Sequence, residues 1–80
     1  MQKFKKINDS IIKRIDNLRQ SQGLSWGKLA NSSGISIGGM SEIKNGLVEP
    51  KFSTLCKIAI GLNITPQELF NFDIDLSELD

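Results

Sequence analysis

The chain contains no histidine, no tyrosine and a single cysteine in 80 residues. Without histidine the commonest general base and metal ligand is missing, and one thiol can form neither an internal disulfide nor a multi-thiolate zinc site. Acid–base chemistry would fall to carboxylates and lysines alone. No uninterrupted apolar run approaches the roughly 18 residues that span a bilayer, and the N-terminus carries no apolar signal-peptide region, so the expected location is cytoplasmic, with no membrane partner. A chain this short forms one domain and buries only about 60% of the surface its unfolded form exposes, which disfavours a deep substrate cavity and with it an enzyme. No small-molecule substrate, cofactor or metal site is evident.

The formal charge of +1 conceals an uneven distribution. Residues 1–67 hold all ten basic residues and only four acids, Asp9, Asp16, Glu42 and Glu49, for a net +6. The last thirteen hold Glu68, Asp73, Asp75, Glu78 and Asp80 and no base, for a net −5. A basic domain with an acidic tail reads either as a nucleic-acid footprint or as an ordinary solvated face.

Apolar side chains at Phe4, Ile7, Ile11, Ile15 and Leu18 recur at helical spacing and mark an amphipathic helix ending near Gly23. Asn8, Asp9 and Ser10 each qualify as its cap, while Phe4 and Ile7 extend the stripe upstream. A second pattern then occurs three times: Leu24-Ser25 leads to Leu29, Ile35-Ser36 to Met40, and Ile64-Thr65 to Leu69. In each, a hydroxyl can cap backbone N–H groups of a new helix while the flanking apolar residues close a hydrophobic staple. Thr65-Pro66-Gln67-Glu68 adds a capping box and a proline at the first helical position. Gly34, Asn45-Gly46 and Asn63 supply the stops, and Phe52, Leu55, Ile58, Ala59 and Leu62 form a further stripe. The expectation is an all-α domain of five short helices spanning about 8–22, 26–33, 37–45, 52–62 and 66–71. Residues 46–50 read as a loop, 1–7 as a basic arm and 72–80 as an acidic tail.

The second and third helices are joined by only a few residues around Gly34 and must cross steeply, which is helix-turn-helix geometry. Arg14-Ile15, Leu18-Arg19, Gly23-Leu24-Ser25, Leu29-Ala30, Ser33-Gly34-Ile35-Ser36, Ile43, Asn45-Gly46, Pro50, Thr54-Leu55, Lys57-Ile58-Ala59, Leu62 and Leu69 together resemble the XRE-like helix-turn-helix domains of phage repressors, Cro proteins and short bacterial regulators. The resemblance covers residues 8–71 without a gap. It implies a lambda-repressor-like fold whose third helix lies in the DNA major groove, usually in a dimer. By position it implies base-reading sites at Ser36, Ile37, Gly38, Ser41 and Glu42, and backbone-contacting sites at Ser25, Trp26, Asn45 and Lys51.

Several positions depart from that family. Trp26 stands where many members carry glutamine; its indole N–H can donate to a phosphate, or its ring can pack on the first or third helix. The leading positions of the third helix lack the arginine, lysine, glutamine or asparagine that make most bidentate base contacts. Ile37 can touch a thymine methyl, Ser41 can bond several base edges and Glu42 can accept from a cytosine amino group. Gly38 and Gly39 each cost the helix about 1 kcal/mol relative to alanine, which suits a close approach to DNA or to a partner, or else a loosely constrained helix. Lys44 stands where an acid often pairs with the base at Arg19; either Arg19 turns to Glu49, Glu42 or Asp16, or both bases point towards phosphate. Lys3, Lys5, Lys6, Lys13 and Arg14 either follow the DNA backbone or form a solubilising tail, and Cys56 reads as a buried, inert thiol. The tail from Asn71 alternates Phe72, Ile74, Leu76 and Leu79 with acids, either extended on the domain or against another copy, with Phe70 and Phe72 as anchors, or disordered.

These readings converge on a sequence-specific DNA-binding regulator, a homodimeric repressor of phage, prophage or bacterial type acting on double-stranded DNA. The competing class is a protein-interaction module on the same scaffold, an antitoxin-like or antirepressor-like adaptor.

Overall fold

The computed structural model describes residues 5–74. They form five helices: α1 (Lys5–Ser21), α2 (Trp26–Ser33), α3 (Ile37–Lys44), α4 (Phe52–Gly61) and α5 (Pro66–Leu69). No strand occurs among the described residues.

The helix starts follow the cap chemistry. Ser25, Ser36 and Thr65 are N-caps with extended backbone, and their side-chain oxygens accept from the N–H of Lys28, Gly39 and Glu68 at 3.1, 3.0 and 3.2 Å. The ends share one device. Gly23, Gly34, Gly46 and Asn63 all have φ between 58° and 71°. Behind them the N–H of Leu24, Ile35, Leu47 and Ile64 reaches back to the carbonyl of Arg19, Ala30, Glu42 and Ala59. This six-to-one bond satisfies carbonyls that the last helical turn leaves without partners. At Gly34 the positive φ turns the chain from α2 into the two-residue link before α3, a conformation that would strain any side chain with a Cβ.

The core is one cluster. Ile15, Leu29, Ala30, Met40, Ile58, Ala59, Leu62 and Leu69 are covered completely or nearly so, with Ile11, Ile43 and Leu55 at its edge. Each helix therefore contributes an inner face, and α2 packs most closely on α4. That contact has no spare room. A Cβ built on Gly61 falls 2.1 Å from Ser33 Oγ and 3.1 Å from the Ser33 backbone nitrogen. Ser33 Oγ is itself buried without a hydrogen-bond partner. Long-range polar ties close the domain elsewhere. Arg14 donates to the Glu68 carbonyl at 2.8 Å and to that of Leu69 at 3.3 Å, Gln22 Nε2 to the Leu62 carbonyl at 2.7 Å, and Asn8 Nδ2 to the Val48 carbonyl at 3.4 Å.

The structure departs from the sequence reading in several places, among them Phe52, which the pattern puts in the core stripe of α4 and which is 67% exposed. α1 is already helical at Lys5, so Asn8, Asp9 and Ser10 lie within it and none is its cap. Their side chains have other partners: Asp9 pairs with Lys5 at 2.9 Å, Ser10 donates to the Lys6 carbonyl, and Asn8 reaches the loop before α4. Residues 5–7 of the expected basic arm are thus helix, while Phe4 and Lys3 lie outside the described residues. Arg14, grouped with that arm by sequence, is tied down on α5. Cys56 is half-buried rather than enclosed, because it sits on the outer row of α4. Phe70 and Phe72 part company. Phe72 packs on the core, whereas Phe70 is exposed and its ring stacks on Phe52 with centroids 6.4 Å apart. Leu76 and Leu79 lie outside the described residues.

The α2–α4 contact gives a direct test. Gly61→Ala should destabilise the domain by about 1–3 kcal/mol through overpacking against backbone atoms. Adding Ser33→Ala, which removes the unsatisfied hydroxyl and the nearest clash, should recover part of that loss; urea denaturation of the two single variants and the double variant measures both effects.

Candidate nucleic-acid interface

α2 and α3 are eight residues each, too short to persist alone in water, and their relative placement is set by the link through Gly34, Ile35 and Ser36 and by burial of their inner faces. On α3 those inner residues are Met40 and Ile43. The outer face follows from helical spacing: Ile37, Gly38, Ser41, Glu42, Lys44 and Asn45 are all exposed, with Ile37 at 73% the most exposed large apolar side chain of the described residues. The two N-caps engage one N–H each, at Lys28 and Gly39. The first-turn N–H groups of Trp26, Gly27, Ile37 and Gly38 precede the first intrahelical bonds, and they give both helix starts a partial positive charge.

The polar groups of this face are partly tied to one another. Asn45 Nδ2 donates to Ser41 Oγ at 3.3 Å, so the two act as a unit on the outer side of α3. Ser25 and Ser36 are exposed, but their hydroxyls serve as caps. Lys51 is exposed at the N-cap of α4 and makes no side-chain cap bond, while Lys28 and Lys57 are also exposed. Two residues of this region carry no signal in the sequence beyond a loop assignment: Leu47 is 71% exposed and Val48 39%. Both follow the end of α3 in the chain. A shallow cleft of about 370 Å³ runs between α3 and α4, lined by Ile35, Gly39, Ile43, Val48, Thr54 and Lys57 among others.

At the other end of the motif, Trp26 is half-buried and packs beside the core, and the Arg19 guanidinium lies 4.9 Å from its ring centroid. The indole therefore packs on the apolar core and, at the end of α1, against the Arg19 cation. Arg19 also donates to the Leu24 carbonyl at 2.8 Å and forms an ion pair with Asp16. Of the partners open to it, Arg19 takes Asp16 and neither Glu42 nor Glu49. The hydrogen bond from Arg19, with a further one from Gln20 and the nearby positive charges of Arg19 and Lys44, holds the Asp16 carboxyl below its ordinary range. Arg19 thus takes its acid from its own helix, and Lys44 acts on that carboxylate only through its charge, in place of a direct acid–base pair between positions 44 and 19.

The fold and this exposed third helix define a helix-turn-helix DNA-binding domain. A family model described as Helix-turn-helix matches residues 15–69, and the chain belongs to that family, with an XRE-like arrangement of its five helices. No curated protein matches the chain. The family is one of DNA-binding domains rather than of enzymes, and no described helix is long and apolar enough to cross a membrane.

The lowered Asp16 pKa sets a sign for acid sensitivity. Its contribution to stability is fully present above the unfolded carboxylate value of about 3.9 and is lost as pH falls through the lower folded value. Asp16→Asn should therefore lower the melting temperature at neutral pH, with the gap to the parent closing in acid; thermal melts from about pH 6 to pH 2 follow it.

Proposed function

We propose that this regulator binds double-stranded DNA as a homodimer and represses transcription by occupying an operator, with α3 in the major groove and α2 across the phosphate backbone. The observation that carries the reading is the uncovered outer face of α3, flanked by the exposed bases Lys28, Lys44 and Lys51 and by the amide-bearing starts of α2 and α3. Helix starts and lysines suit phosphate oxygens, which position a protein on DNA without reading sequence. In this arrangement Trp26, Asn45, Lys44 and Lys51 contact the backbone with the amides at Ser25 and Ser36. Ile37, Gly38, Ser41 and Glu42 meet base edges.

A dimer needs a self-complementary surface, and the outer row of α4 supports one. Phe52, Cys56 and Ile60 follow one another at intervals of four along a single helix face. Phe52 is 67% exposed and Ile60 71%, and Phe70, 41% exposed, stacks on Phe52. The nearby charges are of opposite sign, with Lys57 on α4 and Glu68 and Asp73 at and beyond α5. A two-fold axis sets each surface against its own copy and can bring unlike charges together. Two half-sites would then lie about 34 Å apart on one side of the duplex.

The adaptor reading draws on the exposed Ile37, Leu47 and Val48, which would suit an apolar protein partner. Salt separates the two. Binding to duplexes selected from random DNA should weaken steeply as salt rises, and Lys51→Ala should make the log–log slope shallower by about 0.9, the value of one neutralised phosphate. Negligible affinity for every duplex would favour the adaptor. Phe52→Glu combined with Phe70→Glu should leave the helical fold intact, since both rings lie outside the core, and shift sedimentation from dimer to monomer.

A further inference from the structure

The composition of the α3 face points to what is read in the groove, an inference that rests on α3 being the groove helix. In the major groove every purine offers its N7 as an acceptor, and guanine adds O6, so direct readout ordinarily requires donors. This face has few. Glu42 only accepts, one N–H of the Asn45 amide is taken up by Ser41, and Lys44 stands in the last turn of α3, away from the leading position. The leading position is held by Ile37, a branched apolar side chain that is 73% exposed and thus contributes little to the core. One apolar group distinguishes a base pair in that groove, the C5-methyl of thymine.

Gly38 strengthens the assignment. A Cβ built there meets no atom within 4 Å, so nothing inside the domain requires the glycine, although it weakens the helix. Its neighbour differs: a Cβ on Gly39 would stand 3.0 Å from the Ser36 Oγ that caps α3. The missing side chain at Gly38 lies on the solvent face next to Ile37, where it would let the first turn of the helix descend far enough for an aliphatic side chain to touch a methyl on the groove floor.

We infer that the domain recognises its operator chiefly through thymine methyl groups, with Ile37 as the reading side chain and Gly38 as the gap that admits it. The test uses the tightest duplex recovered from random DNA and replaces its thymines one at a time with deoxyuridine, which deletes the methyl and keeps every pairing group. One or two positions in each half-site should lose affinity by roughly fourfold each, the worth of one buried methyl group. In Ile37→Ala those same positions should become insensitive to the replacement while the salt dependence of binding stays as in the parent. Gly38→Ala should keep or raise the melting temperature and still weaken binding. Equal affinity for thymine and deoxyuridine at every position, or undiminished discrimination in Ile37→Ala, overturns methyl readout and leaves DNA binding standing. Failure to recover any bound duplex overturns both.

Discussion

The structure depends on the burial of one face of two helices that are each only about two turns long. Helices of eight residues do not persist in water, because the cost of the first turn is not recovered over so few hydrogen bonds. α2 is held by Leu29, Ala30 and Ser33 against α4, and α3 by Met40 and Ile43 alone. So small an inner face on α3 has a consequence for function. With two inward residues holding the helix, its remaining positions are released from packing, and the outer face can be composed for whatever lies outside. The tightness of the α2–α4 contact, where Gly61 leaves no room for a methyl group beside Ser33, keeps the platform beneath that face in one place.

Electrostatics narrows the basic surface further than composition does. The ten bases of residues 1–67 do not all face a ligand. Lys5 pairs with Asp9, Arg14 holds the carbonyls at the end of α5, and Arg19 bridges Asp16, the Leu24 carbonyl and the Trp26 ring. Arginine suits such posts because its planar fork donates to several acceptors at once. The exposed positive charge near the helix pair is left to lysines 28, 44 and 51, compact ions suited to phosphate as point charges.

The helix starts and stops are legible in the sequence because they are local. Ser25, Ser36 and Thr65 cap from within three residues, and Gly34, Gly46 and Asn63 close their helices with bonds spanning six, so the residues between them decide the outcome. The inward placement of Met40 and Ile43 follows from spacing for the same reason. What cannot be read depends on groups far apart in the chain. Asn8 has the chemistry of a cap, yet a carbonyl forty residues away accepts its amide. By pattern Phe52 belongs to the core stripe of α4 and Phe70 to the tail anchors, and only their meeting makes a surface stripe. Leu47 and Val48 read as loop because a loop has no period from which a direction can be inferred.

Three of the four glycines within helices, Gly38, Gly39 and Gly61, show how the reasons divide; the fourth, Gly27 in α2, meets only Ser25 Oγ at 4.0 Å. Gly61 is required by Ser33 across the α2–α4 contact, and Gly39 eases the crowding beneath the cap that starts α3. Both glycines therefore offset some of their cost through packing or capping. Gly38 offsets nothing within the domain, yet it costs about 1 kcal/mol in a fold of this size whose whole stability is of the order of 5–10 kcal/mol. A sacrifice of that proportion beside the most exposed aliphatic side chain of the described residues favours a space filled by another molecule over a merely loose helix, and the shape of that space, one missing methyl on a convex helix, fits a groove better than a flat protein face.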